Sequence, residues 1–323
     1  MKNNKNFKKI LLLCLITLTL TTGCTKTLVD KKKQPVKNTE TGQNLVENIL
    51  CKPTNKESIK LYKKNKVDID SLPDCDNFKI TSGKYEGIWT TIFVKPLSYI
   101  ILKIGLATKN YAIAIVIVLL IIRLLTYPVT RKTMKQSQMM QQINPEIKKI
   151  QKKYEGRQDE ESLSKQSQEM MMIYKKYNIN PISGCLVSFI QLPIFIAFYE
   201  AVQRFPAIFE DTFLSIQLGT TPIVGFGRSN LYVYIILMLL IAISTFYSFK
   251  MSMTSDQMEP SMKHMPVFMS IMIIVTALFM PSALCIYWFF NNLFTIVQNK
   301  IVKKTMNDDK KAVKGSKRKY GKA

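Results

Sequence analysis

Arg123 follows an uncharged apolar run, Tyr111–Ile122, and precedes Leu124-Leu125. A guanidinium at that point is expensive to expose to hydrocarbon, so it should face protein or trapped water. A span ending near Tyr127 would instead let it snorkel to the surface. The acidic residue that falls within the other apolar runs is Glu200, near the far end of its run and expected too distant to neutralise Arg123. The guanidinium then brings net positive charge to a hydrated cavity, and what it can do there is capture a carboxylate. Gln191, Ser188, Ser244, Thr245, Ser248, Asn291 and Asn292 are candidates to line that cavity, or simply to hydrogen-bond between helices. Covalent chemistry has few candidates. His264 is the one histidine of the chain, and Cys185 and Cys285 have no base beside them in the sequence. Gly225-Phe226-Gly227 follows no strand pattern and reads as an exterior loop, not a phosphate cradle. These residues point away from an enzyme, a metal site or any cofactor.

The elements that must position Arg123 are spans. The 323 residues hold 46 Lys+Arg against 22 Asp+Glu, a formal charge of +24, with 47% apolar and 21% charged residues. The two classes are segregated along the chain, the signature of a membrane protein. The positive balance suits an anionic partner: lipid headgroups, nucleic acid or an RNA-containing particle.

The N-terminus reads as a targeting segment. Lys2, Lys5, Lys8 and Lys9 precede an apolar stretch, Ile10–Leu20, too short to span about 30 Å of hydrocarbon. Thr21-Thr22-Gly23-Cys24 follows. A small residue before Cys resembles a bacterial lipobox, although the aliphatic residue normally three places before the Cys is Thr21 here. On this reading 1–23 is a lipoprotein signal peptide and Cys24 carries a diacylglycerol anchor, palmitate-type acylation outside the cytoplasm. The alternative is a retained signal anchor with Cys24 an ordinary thiol. Residues 24–87 form a polar extracytoplasmic segment, Lys-rich, expected to bury little and to be largely disordered. Cys51 and Cys75 could pair there in an oxidising exterior or remain free thiols.

Residues 88–108 are apolar but interrupted by Lys95-Pro96 and Lys103, which suggests an amphipathic helix lying in the interface. An additional true span is the alternative. Five spans follow within 109–303: about Tyr111–Pro128, Gly184–Val202, Leu231–Phe249, a short one at Met265–Met280, and Ser282 to about Val302. The fold class is therefore an all-α membrane protein with five transmembrane helices, a cytoplasmic helical hairpin and an interfacial amphipathic helix. Segment 131–178 holds 11 Lys/Arg and 300–323 holds 10, whereas 205–229 holds only Arg228. The positive-inside rule then places the N-terminus outside and the C-terminus inside, as the lipobox also requires.

The hairpin 131–178 should have arms at about Arg131–Tyr154 and Glu160–Tyr177, joined by Glu155–Asp159, with Asn144-Pro145 kinking or restarting the first. Met134, Met139, Met140, Met170, Met171 and Met172 cluster in these arms. They could pack the arms together or offer an adaptable apolar surface to partners.

Taken in order, Arg123-Leu124-Leu125-Thr126-Tyr127-Pro128, Gln142-Ile143-Asn144-Pro145-Glu146, Asn180-Pro181-Ile182-Ser183-Gly184-Cys185, Gln191-Leu192-Pro193-Ile194, Pro281-Ser282-Ala283, Tyr287-Trp288 and Asn291-Asn292-Leu293-Phe294 resemble the YidC membrane-protein insertases. The resemblance covers about residues 85–303. Five spans after a lipobox resemble the Gram-positive, sporulation-type members. It implies a hydrophilic groove open to cytoplasm and lipid, in which Arg123 attracts acidic residues of a substrate's exported segment. It also implies groove roles for Gln191 and Trp288, and for Ser248 where the family often has Gln. The implied partners are nascent membrane proteins and the Sec translocon, with no small-molecule substrate. The basic cytoplasmic tail 304–323 should be disordered and bind the ribosome or anionic lipids, or serve as a plain positive-inside anchor. A polytopic transporter or channel is the alternative class, although the chain has no inverted repeat and no intramembrane acid suited to ion coupling.

Overall fold

The computed structural model describes residues 25–157, 159–180, 183–252 and 265–320, with side chains described except at 183–190, 265–266 and 307–320. The signal peptide, Cys24 and His264 lie outside the described residues, as do the side chains of Cys185 and Ser188 and most of those in the basic tail.

The elements are helical almost throughout. In chain order they are α1 (Lys56–Lys64), a π-helical turn (Thr90–Val94) leading into α2 (Lys95–Thr108), α3 (Tyr111–Lys153), α4 (Glu160–Lys176), α5 (Ser183–Arg204) and α6 (Pro206–Phe209). A two-stranded antiparallel ribbon follows, β1 (Thr212–Phe213) with β2 (Ile216–Gln217), then α7 (Pro222–Gly225), α8 (Leu231–Ser252), α9 (Met265–Leu278) and α10 (Ser282–Tyr320). Among the described residues, Thr90–Thr108, Tyr111–Lys153 and Leu231–Ser252 are long and apolar enough to cross a membrane, and Val267–Leu278 is a shorter apolar helix.

Proline shapes these helices less than expected. Pro96 comes just after the π-helical turn Thr90–Val94, and the chain stays helical through it. The stretch Thr90–Thr108 is therefore helical without a break. Pro128 and Pro145 lie inside α3, which passes through both. The lost bond at Pro145 is offset by packing, since Ile143 and Ile147 on either side are buried.

The chain divides into two compact units. The described part of the first comprises 25–122, 189–242 and 273–291. Residues 25–87 do not form the loose tether expected from their polarity. Leu28, Val36, Leu45, Val46, Ile49, Tyr62 and Ile69 make a buried cluster, with Ile59, Leu61, Val67 and Leu72 packed against it. Single β-bridges align the chain before α1: Thr27 with Val46, Val29 with Pro35, and Lys37 with Asn44. Asn55 caps α1 by accepting from the Ser58 amide. A disulfide joins Cys51 to Cys75. Burial of Tyr62 pushes its hydroxyl pKa well above the ordinary value. The apolar residues are few but converge on one side. The rest of the unit adds further walls: Phe78 meets Phe205 edge-on at 5.2 Å, and the Leu50 amide donates to the Arg204 carbonyl at 2.8 Å.

The second unit comprises the described residues of 123–188, 243–272 and 292–320. Ile143, Ile147 and Ile179 are buried between the end of α3 and α4, with Met139, Met140, Met170, Ile173, Tyr174 and Tyr177 against them. Asp159 caps α4 by accepting from the Ser162 amide. The methionines divide: Met134, Met139, Met140 and Met170 pack inward, while Met171 and Met172 are exposed. The end of α10 also departs from expectation, since the helix continues to Tyr320 instead of giving way to a disordered tail. Lys, Arg and Ala are good helix formers, and extending an existing helix avoids the nucleation step.

Candidate functional site

In the second unit the Arg123 side chain is 6% exposed, and its Nη2 donates to Thr295 Oγ1 at 3.1 Å. The residue is buried within packed structure. Thr295 belongs to a polar stripe on α10. Asn292 Nδ2 donates to Thr245 Oγ1 at 2.8 Å and to Ser244 Oγ at 3.4 Å. Asn299 Nδ2 donates to the Thr295 carbonyl at 3.1 Å and to Ser252 Oγ at 3.5 Å. Positions 292, 295 and 299 are three and four apart, so they share one helix face. Ser248 is buried on α8 between Ser244-Thr245 and Ser252. Sequence reasoning named Asn292, Ser244, Thr245 and Ser248 but missed Thr295 and Asn299. Their helical spacing from Asn292 was the available signal.

Gln191 and Trp288 lie in the first unit. Gln191 Nε2 donates to Tyr287 Oη at 2.6 Å. Phe195 lies 5.3 Å from the Trp288 ring and Phe198 lies 4.6 Å from that of Tyr287, centroid to centroid. Gln191 and Trp288 are both half-buried, so each keeps an accessible edge. The four residues expected to share a site thus fall two in each unit: Arg123 and Ser248 in one, Gln191 and Trp288 in the other.

Glu200 has its own partners in the first unit. Its Oε1 accepts from Trp89 Nε1 at 2.9 Å, and its Oε2 lies 3.8 Å from Arg204 Nη1. Arg204 is fully buried, its Nη2 donating to both Glu86 oxygens at 2.8 and 2.7 Å and its Nε to the Asn48 carbonyl at 2.8 Å. This fork geometry suits a guanidinium and not an ammonium. Sequence reasoning missed Arg204, because at the end of an apolar run it reads as an ordinary flanking charge.

The α3–α4 pair carries two carboxylates whose pKa values are held below the ordinary range. Glu146 accepts from Tyr177 Oη, which holds its pKa below the usual range, with Lys176 adding to the effect. Glu169 is held low first by Lys153 Nζ at 2.6 Å and then by Tyr154 Oη at 3.0 Å. Among the described residues no group of three or more His, Cys, Asp or Glu could hold a metal ion.

Long apolar helices, a buried arginine among hydroxyls and amides, and a paired-helix extension define a helical membrane protein with polar groups held inside it. The family described as 60Kd inner membrane protein matches residues 103–310. Membrane protein insertase YidC of Oceanobacillus iheyensis is 39% identical over 223 residues, 68% of this chain and 86% of that protein. Membrane protein insertase MisCA of Bacillus subtilis is 37% identical over 217 residues, 67% of this chain and 79% of that one. A solved structure described as active YidC insertase, with its first transmembrane domain resolved, is similar in fold, with a TM-score of 0.50, 20% identity, and coverage of 75% of this chain and 50% of that one. The chain belongs to the 60Kd inner membrane protein family, the family of the YidC membrane insertases, and is a cell membrane protein. The transporter or channel alternative finds no support in these comparisons.

Proposed function

We propose that this chain is a membrane protein insertase that receives nascent membrane proteins in a hydrophilic groove and releases their apolar segments into lipid. The observation that carries the mechanism is Arg123, 6% exposed within a run of apolar residues and hydrogen-bonded to Thr295. A fixed positive charge in a low-dielectric setting attracts a carboxylate far more strongly than one in bulk water. An acidic exported segment would be drawn to Arg123, and water held by Ser248 and the asparagine-hydroxyl stripe would shorten its path through hydrocarbon. A membrane potential positive outside then favours onward movement of the acidic segment. Trp288 and Gln191 would line the route of the substrate's apolar span. The process breaks no covalent bond and uses no cofactor.

On this reading five helices span the membrane, the α3–α4 pair stands in the cytoplasm, and 88–108 lies in the interface. Exposed Met171 and Met172 give the cytoplasmic pair an adaptable apolar surface. Cys24 anchors the exterior end through lipid. The basic end of α10 meets the ribosome or anionic lipid, and the Sec translocon is a further partner. The test is protease protection of a small Sec-independent single-span substrate in liposomes holding only this purified chain. Protected fragments above the empty-liposome background support the reading. Their absence, with the chain shown folded and correctly oriented, refutes autonomous insertion.

A further inference from the structure

The first unit contains a cavity of about 320 Å³ whose walls include Thr25, Val46, Ile196, Tyr199, Glu200 and Gln203. A second cavity, of about 700 Å³, shares Asn44, Tyr199 and Gln203 with it and extends to Gln43 and then to Ile223, Val275 and Phe279. These last three are 45%, 51% and 63% exposed, so the cleft opens onto an apolar rim.

Four polar atoms in these walls are buried with no hydrogen-bond partner among the described residues: Thr25 Oγ1, Glu200 Oε2, Gln203 Oε1 and Gln43 Nε2. Gln43, Glu200 and Gln203 are 2%, 1% and 8% exposed. The Arg204 Nη1 contact of Glu200 Oε2, at 3.8 Å, is too long for a hydrogen bond. Buried polar groups are nearly always bonded, so this set calls for a ligand with a donor at the Glu200–Gln203 end and an acceptor at Gln43. That ligand must also carry apolar tails that leave across Ile223, Val275 and Phe279. It must reach the wall formed by Thr25, the first described residue.

We propose that the occupant is the chain's own processed amino terminus, Cys24 bearing its glyceride. The inference rests on the lipoprotein reading above. Consecutive Cα atoms are about 3.8 Å apart, so the Cys24 nitrogen lies within one residue of the cavity wall. Its N–H, as α-ammonium or as fatty amide, donates to Gln203 Oε1, and the α-ammonium has a further proton for Glu200 Oε2. A glyceride ester carbonyl accepts from Gln43 Nε2, and the acyl chains leave over the apolar rim. The anchor is then a packed part of the exterior unit, fixing the end of the chain against α5, and not a free tether.

The full chain is purified from membranes and its intact mass measured, which also separates a diacyl from a triacyl terminus. The photoreactive residue p-benzoylphenylalanine replaces Ile196, Phe279 or, as a control on α8, the exposed Ile236. After irradiation the Ile196 probe should join the Cys24-Thr25 peptide, the Phe279 probe the acyl chains on that peptide, and the Ile236 probe bulk lipid alone. Gln203→Met should lower the Ile196 yield about fivefold or more without changing mass or amount, since one hydrogen bond is lost. A lipidated chain whose Ile196 probe captures only bulk lipid, or whose yield is unchanged in Gln203→Met, overturns the seat while leaving the lipoprotein reading intact. A mass showing no lipid removes the lipoprotein reading and the seat with it.

Discussion

At the scale of single residues, two buried arginines sit in different settings. Arg123 was legible in the sequence because a charge after twelve apolar residues has few places to go. Its hydroxyl partner was not, because Thr295 comes from a helix far away in the chain. Arg123→Lys keeps the charge but not the fork, so insertion of acidic-segment substrates should fall by less than about tenfold. Protease protection against substrate acidity measures this, and complete loss in Arg123→Lys would mean that guanidinium geometry, not charge, is what matters. Arg204 is the structural counterpart. Arg204→Met leaves Glu86 and Glu200 without their cation and should destabilise the first unit by about 3–5 kcal/mol. Thermal unfolding in detergent checks this, and an unchanged midpoint would refute the pairing.

Elements were easier to read than their ends. The arms of the α3–α4 pair follow from the polar turn Glu155–Asp159, and α8 from its uncharged run. Helix persistence through Pro145 was not legible, because it depends on Ile143 and Ile147 packing against a partner helix. Ile147→Ala should weaken the pairing of α3 and α4 by about 2–5 kcal/mol, read as faster hydrogen exchange across Glu160–Lys176. The carboxyls of this pair also set its pH response. Glu146 and Glu169 are held below their ordinary value of 4.5, so the stability they contribute is intact above that pH and is lost as pH falls through their lower folded-state values. Exchange protection of the α4 amides, corrected for intrinsic rates, should therefore be flat from pH 7 to 5 and decline below about 4.5. Weakening confined to pH above 5 would contradict the assignment. The packing of 25–87 was the largest departure from the sequence reading. A small number of apolar residues suffices there because they share one cluster, a disulfide closes the chain around them, and α5 supplies a wall.

Across the whole molecule, a formal charge of +24 with 10 Lys/Arg in the last 24 residues gives the chain a strongly basic end. Removing residues 304–323 should weaken ribosome co-sedimentation, and the lost fraction should be the salt-sensitive part. Pelleting unchanged by the truncation would transfer the role of the tail to lipid. The membrane class was legible because the hydrocarbon sets a length that composition must meet. What the sequence could not show is how residues far apart in the chain combine within each unit, such as Arg123 with Thr295 or Gln191 with Tyr287. The most direct measurement of the central claim is a charge exchange in reconstituted liposomes. Arg123→Glu should abolish protection of a substrate with an acidic exported segment and restore it when the segment's Asp and Glu are changed to Lys. Equal protection of acidic and basic substrates by Arg123→Glu would contradict electrostatic capture.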